Sequence, residues 1–246
     1  MANEKSLPVG RRAVVLLSGG LDSATTLYIA KKQGFQCFCL IFDYGQRHVR
    51  EIQSAKAIAK SARCIAQVVK ITLPWKGSSL LDIGENIPLC SRVLWFSGSR
   101  IQKLANSRTR ELANEIPSTY VPSRNIIFLS FALSYAEAIK AEAIFIGVHT
   151  YDYSGYPDCR PEFYRAFDKV VTTGTKSGVE KRKIKIITPL IHKTKAGIIR
   201  QGKRLGVPFE LTWSCYRGQS KPCGECDSCY FRTKGFREAG LKDPCL

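Results

Sequence analysis

The stretch Ala13-Val-Val-Leu-Leu-Ser-Gly-Gly-Leu-Asp-Ser23 constrains this 246-residue chain more than any other. An apolar run with strand character breaks at a pair of glycines and re-enters a helical pattern at once. Two residues without a Cβ allow backbone N–H groups to approach an anion closely, and the positive end of the following helix dipole favours negative charge at the same point. The segment predicts a strand–turn–helix unit whose loop cradles phosphate: Leu17, Ser18, Gly19, Gly20, Leu21, Asp22, Ser23, Ala24 and Thr25 around the nucleotide, with Ser18, Asp22 and Ser23 as the chemical groups. It fits neither the Walker pattern nor the three-glycine dinucleotide fingerprint.

Further strand-like runs recur at Cys37–Phe42, Ile65–Ile71, Ala143–Gly147 and Lys185–Ile187. Helical spacing separates the first three runs of the chain: Leu27 and Ala30 before Gly34, then Ile52, Ala55 and Ala59. The alternation predicts an α/β fold with a doubly wound, mainly parallel sheet. In such sheets ligands bind beyond the carboxyl ends of the strands, where Ser18–Ser23, Asp43–His48 and Gly147–Asp152 all fall. Residues 1–210 read as one body with an insertion at about 82–117, which would serve as a dimer contact, a substrate lid or a surface helix. Residues 211–246 read as a small C-terminal appendage. The apolar stretch Ile126–Ile139 carries Ser130, Ser134 and Glu137 and falls short of a bilayer span, so it reads as a packed internal helix. Arg11 and Arg12 precede too short an apolar stretch for a signal peptide, and a cytoplasmic chain without membrane attachment is expected.

Ten cysteines in a reducing compartment argue against a disulfide framework. Cys215, Cys223, Cys226 and Cys229 have the spacing of metal ligands, and four thiolates suit one tetrahedral zinc ion with no vacancy for substrate, hence a structural role. An iron–sulfur cluster and redox thiols are the alternatives. Cys37 and Cys39 share one face of a strand, as small buried residues commonly do.

The formal charge is +18, and Lys176–Arg204 alone carries ten basic residues and one acidic one. A nucleic acid or a solvated basic face would account for this, but ATP and pyrophosphate are polyanions too. No aromatic platform accompanies the charge, so direct nucleic-acid binding is not the expected partnership. Dense polar clusters follow strand ends. Tyr44, Gln46, Arg47 and His48 crowd one turn. Arg124 and Asn125 open the helix at Ile126, where Arg124 suits bidentate phosphate binding and Asn125 a helix cap or a base edge. Asp152, Tyr153, Tyr156, Asp158 and Arg160 suit a planar polar ligand.

The Ser-Gly-Gly-x-Asp-Ser loop resembles the PP-loop of N-type ATP pyrophosphatases, which cleave ATP between the α and β phosphates and transfer AMP to an oxygen. Together with Tyr44-Gly-Gln-Arg-His48, Pro122-Ser-Arg-Asn125, Tyr153-Ser-Gly-Tyr-Pro-Asp-Cys-Arg160 and the cysteine cluster running into Tyr230-Phe-Arg232, it makes nearly the whole sequence resemble the QueC family, the nitrile-forming synthases of the queuosine precursor pathway. The resemblance implies that 7-carboxy-7-deazaguanine and ammonia become 7-cyano-7-deazaguanine (preQ0) through an adenylated acid and an adenylated amide, with ATP and Mg2+ consumed as substrate and AMP and diphosphate released. It also implies a homodimer, and it marks Lys195, after Pro189-Leu190, as a phosphate-binding catalytic lysine, although a lysine in a basic run is equally often just solvated. A PP-loop enzyme acting on tRNA, such as a thiolase, is the alternative.

Overall fold

The computed structural model describes residues 10–46, 49–75, 77–82, 84, 86–87, 116–150 and 155–245. Arg47, His48, Asp152, Tyr153 and most of the expected insertion at 82–117 lie outside the described residues.

Five parallel strands form one sheet: β1 (Arg12–Leu16), β2 (Gln36–Asp43), β3 (Ile65–Lys70), β4 (Ala143–Phe145) and β5 (Lys185–Ile187), in the spatial order β3-β2-β1-β4-β5. The register sets Val14 against Phe38 on one side and Ile144 on the other. Because the chain crosses the middle of the sheet first and then builds outward in both directions, the strand order reverses between β1 and β4. That reversal opens a crevice at their carboxyl ends. β4 is shorter than the apolar run that announces it: the chain leaves the sheet at Ile146, whose N–H still donates to the Ile187 carbonyl at 3.1 Å.

Alternation along β1 divides the core in two. Ala13, Val15 and Leu17 point to one face, where α1 (Leu21–Lys32), α2 (Val49–Ser61), α6 (Lys195–Leu205) and α7 (Asp227–Ala239) supply Leu27, Ile58, Ile199 and Phe236. Val14 and Leu16 point to the other, against Leu129 and Leu133 of α3 (Arg124–Ala138) and Phe167 and Val171 of α4 (Pro161–Gly174). A strand covered on both sides must be apolar at nearly every position, which is why β1 reads as an unbroken hydrophobic run. A one-turn helix, α5 (Lys176–Val179), links α4 to β5.

The helix expected at Ile126–Ile139 is α3, but it is not internal throughout. Leu129, Ala132, Leu133 and Ala136 are buried on the sheet, whereas Ile126 and Phe131 are 41% and 42% exposed. The sheet can cover only one stripe of a helix lying on it. Phe128 stacks on Phe42 at 3.9 Å between ring centres and aligns the helix with β2. Among the described residues, no helix is long and apolar enough to cross a membrane.

Leu27 is fully buried between α1 and the sheet. Leu27→Ala is expected to lower unfolding free energy by about 2–5 kcal/mol, the range for buried Leu→Ala changes, and urea denaturation followed by circular dichroism checks it.

Candidate active site and metal centre

The loop after β1 is held open from within. Ser18 donates its N–H (3.2 Å) and its hydroxyl (3.0 Å) to Ser23 Oγ, and Ser23 donates to the Gly20 carbonyl at 3.0 Å. Gly20 occupies the N-cap of α1 without a side-chain cap, so the first turn of this 12-residue helix keeps its N–H groups for a ligand. Gly19 has φ +84°, and a Cβ there would fall 2.3 Å from the Glu51 carbonyl oxygen of α2. Across the loop, a Cβ on Gly147 would fall 2.9 Å from the Asp22–Ser23 peptide. Leu17, Leu21 and Ala24 are buried in the core, and Thr25 donates back to the Leu21 carbonyl at 2.9 Å. These four contribute backbone and packing to the cradle, while Ser18, Asp22 and Ser23 supply its polar groups.

Lys195, the first residue of α6, reaches that cradle. Its ammonium donates to both carboxylate oxygens of Asp22, at 2.9 and 2.8 Å, and lies 3.0 Å from His149 Nε2. An ammonium only donates, so Nε2 accepts and His149 is neutral in this arrangement. Burial pushes the Asp22 carboxyl upward, but the opposing charges, that of Lys195 foremost, outweigh it and hold it below its ordinary value. The sequence singled out Asp22 and Lys195. His149 carries no motif of its own and comes into the group only because β4 ends beside α1.

A second cluster lies beyond β2. Arg124 opens α3 and donates to the Tyr44 hydroxyl at 3.4 Å, and Tyr44 is buried against Phe128. Tyr156 pairs with Thr119 at 2.6 Å and with the Tyr216 hydroxyl. Glu51 stands close enough to Arg124 to feel its charge, yet burial dominates and pushes its carboxyl up to about 7. Glu51, Tyr216 and Thr119 were not legible as site residues, since nothing in their local sequence marks them.

Other candidates are engaged internally. Gln46 accepts from Tyr44 N–H at 2.8 Å and donates to the Phe42 carbonyl at 3.1 Å, closing the turn after β2. Asn125 does not cap its helix; Ser123 occupies the N-cap position without a side-chain bond, and Asp158 Oδ2 instead accepts from Asn125 N–H at 3.0 Å. Asn125 Nδ2 in turn donates to the Asp158 carbonyl at 3.2 Å, joining α3 to the turn at Pro157–Cys159. Arg160 is exposed at the start of α4.

The sulfur atoms of Cys215, Cys223, Cys226 and Cys229 lie within 4.8 Å of one another, with Cys223 and Cys229 3.9 Å apart. A tetrahedron with metal–sulfur bonds of about 2.3 Å has edges of about 3.8 Å, so the four thiols fit a single metal ion. Backbone N–H groups of Arg217 and Cys223 point at Cys215 Sγ, both at 3.4 Å, which favours a thiolate there. Cys245 lies away from this group, beside Arg232, which forms a buried pair with Asp243 at 2.6 Å.

The cysteine cluster and the Ser18–Ser23 loop touch. Trp213 donates its backbone N–H to the Gly19 carbonyl at 2.9 Å and its indole N–H to the Cys215 carbonyl at 3.0 Å. The Arg50 guanidinium lies 4.0 Å over the Trp213 ring and also donates to the Gln219 carbonyl at 2.9 Å. Neither Arg50 nor Trp213 stands out in the sequence.

Gly19→Ala is expected to weaken ATP binding at least about tenfold, because a left-handed conformation costs a non-glycine residue about 1–3 kcal/mol and the added carbon overlaps α2. Isothermal calorimetry measures it. Cys226→Ser is expected to release bound metal, read by elemental analysis, with the strand signal in circular dichroism retained.

Residues 12–240 match the family model described as "Queuosine biosynthesis protein QueC". The chain is 50% identical over 96% of its length to "7-cyano-7-deazaguanine synthase" of Nostoc punctiforme, covering 99% of that protein. It is 48% identical over 95% of its length to the protein of the same name from Thermoplasma volcanium, covering 90% of it. Among solved structures, an NMN synthetase from Francisella tularensis aligns with a TM-score of 0.45 at 14% identity, over 96% of this chain and 79% of that one. The chain belongs to the QueC family of queuosine biosynthesis proteins.

Proposed function

We propose that this chain is an ATP-dependent carbon–nitrogen ligase that converts 7-carboxy-7-deazaguanine and ammonia to 7-cyano-7-deazaguanine, the activity named for its relatives. The observation that carries the reading is Glu51. Its backbone carbonyl abuts the phosphate loop at Gly19 while its side chain stands beside Arg124, so the nucleotide cradle and the Arg124–Tyr44–Tyr156 cluster are neighbours.

Neither a carboxylate nor an amide has an oxygen that leaves at neutral pH. The substrate carboxylate attacks the α-phosphorus of ATP and diphosphate departs; ammonia then displaces AMP to give the amide. The amide oxygen takes a second AMP in the same way, and loss of that AMP with the remaining nitrogen protons leaves the nitrile. Each pass needs charge on the departing diphosphate to be stabilised. The first-turn N–H groups of α1, the Ser18 and Ser23 hydroxyls and the Lys195 ammonium supply that stabilisation from fixed positions.

Asp22 and His149 hold Lys195 at the cradle until the phosphates arrive. Arg124 binds an anion, either the substrate carboxylate or a phosphate, and the phenol rings of Tyr44 and Tyr156 flank a flat ring system. Magnesium, when bound with the phosphates, would neutralise their charge, with Asp22 as the carboxylate available to it. The four cysteines would hold zinc in a closed, structural site, and residues 211–246 would then act as a brace for the phosphate loop. A homodimer in the cytoplasm completes the proposal. With the four clustered cysteines committed to a metal ion, none of them would be left as the reactive sulfur a thiolase needs, which speaks against that reading.

Purified protein given ATP, magnesium, ammonium and 7-carboxy-7-deazaguanine is expected to yield the nitrile with two AMP per product, followed by mass spectrometry. Formation of ADP, or no nitrile, overturns the assignment. Lys195→Ala is expected to lower kcat/KM by roughly 10²–10³, the usual loss for one donor to a developing anion.

A further inference from the structure

At the amino-terminal end of the sheet, opposite the active-site rim, three cysteines meet that the chemistry above does not use. Cys37 and Cys39 alternate along β2 and pack into the core on the α1–α2 side, and Cys64 immediately precedes β3 and packs against the same cluster. The register pairs Phe38 with Ile65 and Cys39 with Ala66, so one step earlier it brings Cys37 alongside Cys64. The Cys37 thiol donates to the Phe35 carbonyl at 3.5 Å and the Cys64 thiol to the Ala62 carbonyl at 3.4 Å, so each is held by its own strand end. Neighbouring strands run about 4.8 Å apart, inside the Cα separation of about 4.4–6.8 Å that a disulfide spans.

The three thiols differ in access. Cys37 and Cys39 are buried, whereas Cys64 is partly exposed. A surface cavity of about 210 Å³ lined by Lys31, Phe35, Cys37, Arg63 and Cys64 leads to the pair and is large enough for a small oxidant. The Lys31 ammonium is anchored on the Ala62 carbonyl at the edge of this cavity. The neighbouring Cys37 and Cys39 thiols, with the Lys31 charge, hold the Cys64 thiol below its ordinary pKa, while the Cys64 neighbour and burial push the other two up. Thiolate character combined with access is what selects a cysteine for oxidation.

We propose that Cys64 is a peroxide-reactive thiol and that Cys37 resolves it, forming a reversible disulfide between β2 and β3. The Cys64 thiolate attacks one oxygen of hydrogen peroxide, the O–O bond breaks, and hydroxide leaves to give a sulfenic acid. Cys37 gives up its proton and attacks the Cys64 sulfur, the S–S bond forms, the S–O bond breaks and water leaves. Two thiols lose two electrons and two hydrogens, and the peroxide is reduced to two waters. Two glutathione thiols, or one dithiol of the thioredoxin kind, reverse the step by exchange.

The test uses the full metal-loaded chain, treated with a small excess of hydrogen peroxide, quenched with an alkylating reagent, digested and mapped by mass spectrometry. A Cys37–Cys64 cross-linked peptide, lost on reduction, is expected in the unaltered protein. Cys37→Ser is expected to leave Cys64 as a sulfenic acid that dimedone traps. Cys64→Ser is expected to leave Cys37 fully alkylated, with nitrile formation unchanged in untreated enzyme. Cys64 remaining alkylated after treatment, or a cross-link from Cys64 to any other cysteine, overturns the proposal. The map of the unaltered protein decides the matter even if a variant folds poorly.

Discussion

Two backbones close on the first turn of α1 with no space for another carbon atom. Gly19 meets the start of α2 and Gly147 meets the Asp22–Ser23 peptide, and the candidate site depends on both approaches. Because α2 presses on one side of the loop and the exit from β4 on the other, the helix N-terminus cannot drift from the crevice at the centre of the sheet. From that fixed point the remaining groups fall into reach: Lys195 from α6, His149 from the β4 exit, and Glu51 from α2. A site assembled from four separate elements needs such a close-packed hub, since each residue is positioned by an element whose own place is set by the core.

The electrostatic pattern follows from this packing. Asp22 is surrounded by cationic and neutral nitrogen, so it stays ionised despite its partial burial, whereas Glu51, also partly buried, has its charge only partly answered by Arg124 and is pushed up to about 7. Two carboxylates near one loop thus have opposite tendencies, one suited to holding a cation and the other to exchanging a proton near neutrality.

Much of this was legible in the sequence. The unbroken apolar run at Ala13–Leu17 announced a strand covered on both faces, and the glycine pair announced the loop, because both depend on residues adjacent in the chain. The cysteine spacing was legible for the same reason. His149, Glu51, Trp213, Arg50 and Tyr216 were not, since their roles come from contacts between distant elements that no local pattern encodes. Asn125 and Gln46 show the converse: residues with the chemistry of a binding site that the fold engages in holding a helix to a turn and in closing the exit from β2. The apolar helix at Ile126 was recognisable as a helix, but which stripe faced the sheet was settled by the orientation of β2 and Phe42.

Trp213 lends the phosphate loop a hydrogen bond from a segment organised by four cysteines, and the sheet itself draws nothing from that segment to form its strands. Loss of an ion held among those cysteines would therefore reach the Ser18–Ser23 loop through Trp213.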